Sequence, residues 1–89
     1  MIKGDFSISN KLGLHARPSA QLTQVASRFA SEIHIAKGTR RVNAKSIMGV
    51  MMLAAGRGSV LTIDAEGPDE AEAVAALGAL IESRFGEHE

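Results

Sequence analysis

The chain of 89 residues contains no cysteine and balances 10 lysines and arginines against 10 aspartates and glutamates. This length predicts one small domain, residues 1–89, and the missing cysteine excludes a disulfide framework and a thiolate metal site. Zero net charge with only three aromatic residues disfavours nucleic-acid binding. The sequence shows no signal peptide and no apolar run near ~20 residues, which predicts a cytoplasmic protein that does not insert into membranes.

The first predicted elements are a strand from Ile2 to Ile8 and a helix from about Ala16 to Ser27 or Phe29. Apolar residues of the strand share one parity, as in a half-buried strand. The helix has one apolar stripe with i, i+3, i+4 and i+7 spacing, formed by Leu22, Val25, Ala26 and Phe29. Proline is tolerated in the first turn of a helix, so Pro18 agrees with a start near Ala16. His15 is therefore predicted at the N-cap or just before it.

Residues 13–19, GLHARPS, combine a titratable nucleophile with a fixed cation at this helix start. A helix N-terminus presents unpaired amides and the positive end of the helix dipole, which suit a phosphate dianion and favour a neutral ring at His15. Neutral imidazole has a lone pair that can attack phosphorus, and Arg17 offers a permanent charge for phosphate oxygens. The pattern favours phosphoryl chemistry, although a lone histidine before a helix is more often only a cap or a surface residue.

A hairpin is predicted next, with a strand from Glu32 to Lys37, a tight turn at Gly38 and a short strand through Arg41 to Asn43. His34 lies on the polar parity of its strand, so we expect it to face solvent or a neighbouring strand in a structural role. His88 is expected to belong to the polar tail rather than to a ligand set. With three scattered histidines, no metal site is expected.

The segment from Ile47 to Leu53 is predicted to be a short helix, and Ser46 precedes it as a natural N-cap. It is too apolar for a helix that buries only one side. We expect one face to contain Val50, Leu53 and Ala54. The adjoining face contains Ile47, Met48 and Met51. Two interpretations remain open, a fully buried helix and an exposed binding patch, and flexible methionines suit the second.

The last predicted elements are a strand from Ser59 to Glu66 and a long helix that begins at Asp69. The strand places Leu61, Ile63 and Ala65 on one face. Asp69 with Glu72 resembles a capping box, and Gly86 is a stop signal. The buried stripe of the helix is predicted to contain Ala71, Val74, Leu77, Gly78 and Ile81. The tail from Gly86 to Glu89 is predicted to be a frayed polar terminus.

The order of elements is strand, helix, strand, strand, short helix, strand, helix. Four short strands with too few helices to cover both faces of a sheet predict an antiparallel sheet. The predicted fold is therefore an α/β (α+β) open-faced sandwich, a four-stranded antiparallel sheet with three helices on one face.

Two segments resemble a known family over essentially the whole chain. GLHARPS resembles the active-site signature of the histidine-containing phosphocarrier protein (HPr) family of the phosphoenolpyruvate-dependent phosphotransferase system, and every position agrees. Residues 42–56, VNAKSIMGVMMLAAG, resemble the region around the regulatory serine of that family. The resemblance implies the same open-faced sandwich.

The resemblance also implies a function as a phosphoryl carrier rather than an enzyme. In it, His15 accepts a phosphoryl group through Nδ1 from Enzyme I and passes it to an EIIA-type acceptor, while Arg17 stabilises the phosphate. Ser46 would be a regulatory phosphorylation site for an HPr kinase/phosphorylase. The surface that receives partners would contain Ala16, Ala20, Ile47, Met48 and Met51. No metal or organic cofactor is implied, and we expect a monomer.

Two alternatives to a carrier for sugar uptake remain. The first is a regulatory phosphocarrier of the nitrogen-related branch (NPr-like), which has the same chemistry and a different Enzyme I. The motif does not separate the two, although Met48 departs from the aromatic residue of enteric sugar carriers. The second is a non-catalytic protein-interaction module, because small α/β sandwiches host many functions.

Overall fold

The computed structural model describes residues 1–87, and its elements follow the predicted order. The strands are β1 (Ile2–Ser7), β2 (Glu32–Lys37), β3 (Arg40–Asn43) and β4 (Val60–Glu66). The helices are α1 (Ala16–Ala26), α2 (Ile47–Met52) and α3 (Glu70–Glu82), and a 3-10 turn follows at Arg84–Gly86. Predicted boundaries differ from these by at most a few residues, mainly at the end of α1.

All strand pairs in the sheet are antiparallel, and the spatial order is β1-β4-β2-β3. β4 is central, with Leu61 opposite Phe6 on β1 and Ile63 opposite Ile35 on β2. α3 packs against β1 and β4, and α1 packs against both α2 and α3. The predicted open-faced sandwich is confirmed.

One apolar cluster fills the space between the sheet and the helices. β4 contributes the predicted face, Leu61, Ile63 and Ala65, and each is fully buried. From the helices, the fully buried side chains include Leu22, Ala26, Val50, Leu77 and Ile81. Burial of this apolar surface is the main stabilising contribution to a domain of this size.

The contact between β1 and α3 depends on an aromatic ring packed against glycine. A Cβ built on Gly78 would lie 2.3 Å from the ring of Phe6, and one on Gly4 would lie 3.0 Å from the same ring. Neither distance is compatible with an undisturbed side chain. The two glycines therefore leave room for the Phe6 ring, and α3 packs close to β1.

The predicted buried stripe of α3 is wrong at one position. Ala71 is exposed, and Ala73 is buried in its place. Ala73 lies four and eight residues before Leu77 and Ile81, so the three share one face of the helix. The helix is so rich in alanine that several similar stripes fit the sequence, and only the packing against the sheet selects one.

The predicted capping box of α3 is also wrong. Asp69 is the N-cap but makes no side-chain capping bond. Its carboxylate instead accepts hydrogen bonds from the amides of Ala30 and Ser31, both at 2.9 Å, and from the Ser31 hydroxyl. These bonds, the hydroxyl first, lower the pKa of Asp69. The carboxylate thus ties the start of α3 to the loop between α1 and β2.

The predicted core face of α2 holds for two of its three members. Val50 and Leu53 are buried, whereas Ala54 is exposed and adopts a positive φ of 50°. The left-handed conformation of Ala54 ends the helix and changes the direction of the chain. The next residue, Ala55, is therefore the one that is buried. Within residues 1–87, no helix is long and apolar enough to cross a bilayer.

Candidate functional site

His15 is the N-cap of α1, as predicted, and its ring takes no part in capping. Its backbone is extended and its side chain is half-buried, with 34% of its surface exposed. The first helical hydrogen bond runs from the Ser19 amide to the His15 carbonyl, at 3.0 Å. Pro18 has no N–H, so the amides of Ala16 and Arg17 are the two in this turn that lack a carbonyl partner within the helix. They are available to an anion beside His15.

The loop before His15 is docked on the chain that follows α2. Gly13 has a φ of +65°, and a Cβ there would lie 2.4 Å from the Ala55 carbonyl oxygen. The amide of Leu14 donates to that same oxygen at 2.8 Å. Only glycine fits so close an approach with this φ. The position of His15 therefore depends on a segment about 40 residues away in the chain.

Glu87 lies against the ring of His15, which corrects the prediction of a frayed tail at that residue. The Nε2 atom of His15 is 2.7 Å from Oε2 of Glu87, and Asn10 Nδ2 donates to Oε1 at 2.9 Å. The hydrogen bond from Asn10, then that from His15, lowers the pKa of Glu87, and the charge of Arg17 adds to the effect. The sequence shows no periodicity that could reveal a contact across 72 positions. His88 lies outside the described residues, so its assignment to the tail stays a prediction.

Asn10 holds the carboxylate in place and was not singled out from the sequence. It is fully buried, and its amide group donates to both the Gly13 carbonyl oxygen and Glu87. Both partners are acceptors, so the opposite orientation of the amide would face oxygen with oxygen. The sequence indicated only that Asn10 lies in a predicted loop, and this did not reveal its contact with Glu87.

Arg17, Ala16 and Ala20 all lie on α1, and their predicted roles stay predictions. Arg17 lies exposed in the first turn, close enough to Glu87 for its charge to act on that carboxylate. Ala16 is exposed and Ala20 is partly buried. Glu87 places a negative charge beside the ring of His15, at the start of the same helix. The contact with Glu87 is made through Nε2 and leaves Nδ1 outside it.

Ser46 caps α2, as predicted. Its side chain is exposed, and its Oγ accepts a hydrogen bond from the Gly49 amide at 3.1 Å. Gly49 sits against Val42 of β3, where a Cβ would approach to 3.2 Å. The contacts at the start of α2 therefore join residues that lie within a few positions of one another in the chain.

The side chains of α2 exclude the fully buried helix, and binding of partners by the exposed face stays a prediction. Met48 is 68% exposed, whereas Val50 is fully buried. The exposed apolar residues of the helix form what we call the methionine patch, Ile47, Met48, Met51 and Met52. Met52 was not predicted to belong to it. α2 packs beside α1, so the patch borders the helix that starts at His15.

His34 lies on the open face of the sheet, beside a neighbouring strand as expected. Its Nδ1 is 3.8 Å from Oδ1 of Asp64, which lies opposite it on β4. Arg41 binds both oxygens of that carboxylate, at 2.7 and 3.1 Å, and this contact is the main cause of the lowered pKa of Asp64. Among residues 1–87, no group of three or more histidine, aspartate or glutamate side chains could hold a metal ion.

Comparisons with known proteins agree with this geometry. A family model described as "PTS HPr component phosphorylation site" matches residues 2–83. The chain is 60% identical to the phosphocarrier protein HPr of Cupriavidus necator over the full length of both. It matches the crystal structure of HPr-C-His from Thermoanaerobacter tengcongensis with a TM-score of 0.96 and 52% identity over both whole chains. A crystal structure of an HPr dimer from that organism matches with a TM-score of 0.79 and 53% identity, covering 98% of this chain and 100% of that one.

Proposed function

The chain belongs to the HPr family of phosphocarrier proteins of the phosphotransferase system, and from that membership we propose that His15 is its phosphoryl acceptor. The proposed donor is a phosphohistidine of Enzyme I, and the proposed acceptor is a histidine of an EIIA-type protein. The main support for this proposal is the placement of the His15 ring. The ring is partly exposed at the N-cap of α1, makes no capping bond and contacts Glu87 through Nε2. The proposed place of action is the cytoplasm.

The transfer needs alignment and charge stabilisation more than bond-making assistance. The lone pair of Nδ1 forms the new N–P bond while the N–P bond of the donor breaks, and its electron pair returns to the donor ring. The amides of Ala16 and Arg17 face the site from the helix end, and the guanidinium of Arg17 supplies a full positive charge for the phosphoryl oxygens. In this mechanism the chain requires no metal or organic cofactor.

The methionine patch and the start of α1 form the proposed docking surface. Met48 and Met51 are exposed and unbranched, and such side chains adapt to partners of different shape. Ala16 and Ala20 add small side chains that allow close approach of a partner. We propose that the chain acts as a monomer at this surface. The dimeric crystal structure of the Thermoanaerobacter tengcongensis relative makes oligomeric state a measurement worth adding.

We further propose that Ser46 is a regulatory site for an HPr kinase/phosphorylase. A phosphate there would add about two negative charges at a helix N-terminus, where the dipole tolerates an anion. The fold would therefore persist. Beside Ile47 and Met48, however, the charge would oppose burial in an apolar interface and repel an acidic partner. Regulation would act on docking and leave the nucleophile intact.

The test is phosphoryl transfer from phosphoenolpyruvate with purified Enzyme I of the sugar branch and of the nitrogen branch in parallel. Histidine phosphate is followed by mass spectrometry under alkaline conditions. We expect label on His15 from one donor, no label on His15→Ala and full label on the matched variant His34→Ala. The preferred donor decides between a sugar carrier and a nitrogen-branch carrier. Absence of label from both donors, each active on its own carrier, would contradict the proposal and favour an interaction module.

A further inference from the structure

The C-terminal turn has an unusual backbone, and the residue that follows it contacts His15. Arg84, Phe85 and Gly86 have φ angles of 59°, 55° and 77°, three consecutive residues in the left-handed region. Two of them carry a Cβ, which makes this conformation unfavourable by about 1 kcal/mol per residue. A run of this kind persists only where the surroundings hold it.

Two sets of contacts hold the turn. Phe85 is only 3% exposed and belongs to the apolar core, so leaving the turn would expose its ring to water. The amide of Gly86 donates to the Ser83 carbonyl at 3.1 Å, and the amide of Glu87 donates to the Arg84 carbonyl at 2.9 Å. The chain leaves this closed turn at Glu87, whose carboxylate meets Asn10 and His15. The fold thus maintains an unfavourable backbone conformation at residues 84–86, and this conformation places the Glu87 carboxylate against the His15 imidazole.

A carboxylate that contacts one nitrogen of a neutral imidazole selects its tautomer. Carboxylate oxygens only accept hydrogen bonds, so the contact at Nε2 requires a proton on Nε2 and leaves the lone pair on Nδ1. Asn10 occupies the other oxygen of Glu87 and fixes its direction. The ring is therefore held in the tautomer and the orientation that a nucleophilic Nδ1 needs.

We propose that Glu87 is a positioning residue for His15, accepting the Nε2 proton so that Nδ1 presents its lone pair to the incoming phosphoryl group. The proposal rests on the proposed function of His15 as phosphoryl acceptor. Glu87 acts through the imidazole and does not contact the transferred group.

The charge balance of the step gives Glu87 a second effect. When Nδ1 bonds to phosphorus and Nε2 keeps its proton, the ring of His15 gains a formal positive charge, and the donor ring loses the same charge. Glu87 faces the nitrogen that bears the proton, so its carboxylate stabilises the cationic ring as it forms. A carboxylate behind a catalytic imidazole has this double effect on tautomer and charge in hydrolases. Here the same arrangement would favour formation of the phosphohistidine.

The test uses the full chain with Glu87→Ala and Glu87→Gln, and Glu82→Ala as the matched control, an exposed glutamate at the end of α3. Nitrogen-15 NMR at alkaline pH, where imidazoles are neutral, distinguishes the protonated from the unprotonated ring nitrogen. We expect Glu87→Ala to shift the tautomer ratio of His15 toward Nδ1–H about fivefold, the effect of losing one hydrogen bond. Glu87→Gln has one accepting oxygen for the two donors Asn10 and His15, so it should not restore the wild-type ratio.

Transfer kinetics from phospho-Enzyme I provide the second readout. We expect kcat to fall about tenfold in Glu87→Ala with KM unchanged, a smaller fall in Glu87→Gln, and no change in Glu82→Ala. An unchanged tautomer ratio in Glu87→Ala, or an unchanged kcat, would overturn the proposal. A wild-type chain that takes no label would instead overturn the proposed function, and the tautomer ratio alone would then decide whether Glu87 positions the ring.

Discussion

The starts of α1 and α2 are built differently, although each carries a residue that we propose to be phosphorylated. At α2, the Ser46 hydroxyl caps its own helix through Gly49, three residues on. At α1, the N-cap His15 caps nothing, and its surroundings come from Asn10, Ala55 and Glu87. The Ser46 side chain satisfies one amide of α2, whereas the His15 side chain satisfies none of α1.

This difference fits the two proposed roles, a regulatory site at Ser46 and a phosphoryl acceptor at His15. The hydroxyl of Ser46 already accepts a hydrogen bond at the start of α2. A phosphate oxygen on the same side chain could accept in its place, because a helix N-terminus favours an anion, so the backbone need not move. A reactive histidine needs an oriented ring and unoccupied donors, and these require contacts from distant segments.

The largest effect is expected at the start of α1. Arg17→Ala removes a full charge near the phosphoryl oxygens, and we expect transfer to His15 to fall about 100-fold. Because Arg17 is exposed, the free energy of unfolding should change by less than about 0.5 kcal/mol. Enzyme I kinetics and urea unfolding measure the two quantities.

Arg28→Ala is the matched control for this variant, because Arg28 is an exposed arginine beyond the other end of α1. It should change neither quantity. Lower stability with an unchanged transfer rate in Arg17→Ala would show that Arg17 only supports the loop.

The next effect concerns the surface beside Ser46. Met48→Ala should weaken binding to Enzyme I about tenfold, because truncating an anchor at an interface commonly costs more than about 1 kcal/mol. The folded chain should lose little stability, since Met48 is 68% exposed. Calorimetric titration and urea unfolding test the two expectations, with Val60→Ala as an exposed apolar control on β4. A stability loss above ~2 kcal/mol would identify Met48 as part of the core.

A smaller effect is expected from the cap itself. Ser46→Ala should lower the free energy of unfolding by about 1 kcal/mol, the usual contribution of a serine N-cap. Ser46→Asp should retain most of that stability, because aspartate also caps and its charge suits the helix dipole. Binding to Enzyme I should nevertheless weaken in Ser46→Asp and stay near wild type in Ser46→Ala. Equal binding by both variants would contradict regulation through charge at this position.

The smallest effect is a response to acid that only the first helix start should show. The pKa of Glu87 is lowered by Asn10 and then His15, so its contribution to stability is present above the ordinary glutamate value of about 4.3. That contribution is lost as the pH falls through the lower pKa of the folded state. The side-chain amide signals of Asn10 should therefore move only below about pH 4, while the Gly49 amide signal stays in place. A midpoint at the ordinary glutamate value would show that the contact is not maintained in solution.

The sequence predicted the local features of the molecule and missed the distant ones. The element order, the buried face of β4, the N-cap position of His15 and the cap by Ser46 all depend on residues a few positions apart. The contact of Glu87 with His15 and that of Asp69 with Ser31 join residues 72 and 38 positions apart, and both residues had been given ordinary terminal or capping roles. Ala54 and Ala71 failed for a related reason, because alanine fits a buried or an exposed position equally well and only packing decides.

The pair formed by Asp64 and Arg41 bears on how the molecule behaves in concentrated solution. An open-faced sandwich leaves one side of its sheet without a covering layer, and a large exposed apolar patch on such a face would promote association. Here the side chain of Arg41, on edge strand β3, reaches across to the central strand and covers the carboxylate with its guanidinium. Because the pKa of Asp64 is lowered, that charge pair persists into acid. We therefore expect the uncovered face to keep this charged pair at acid as well as neutral pH, where it would oppose association through that face.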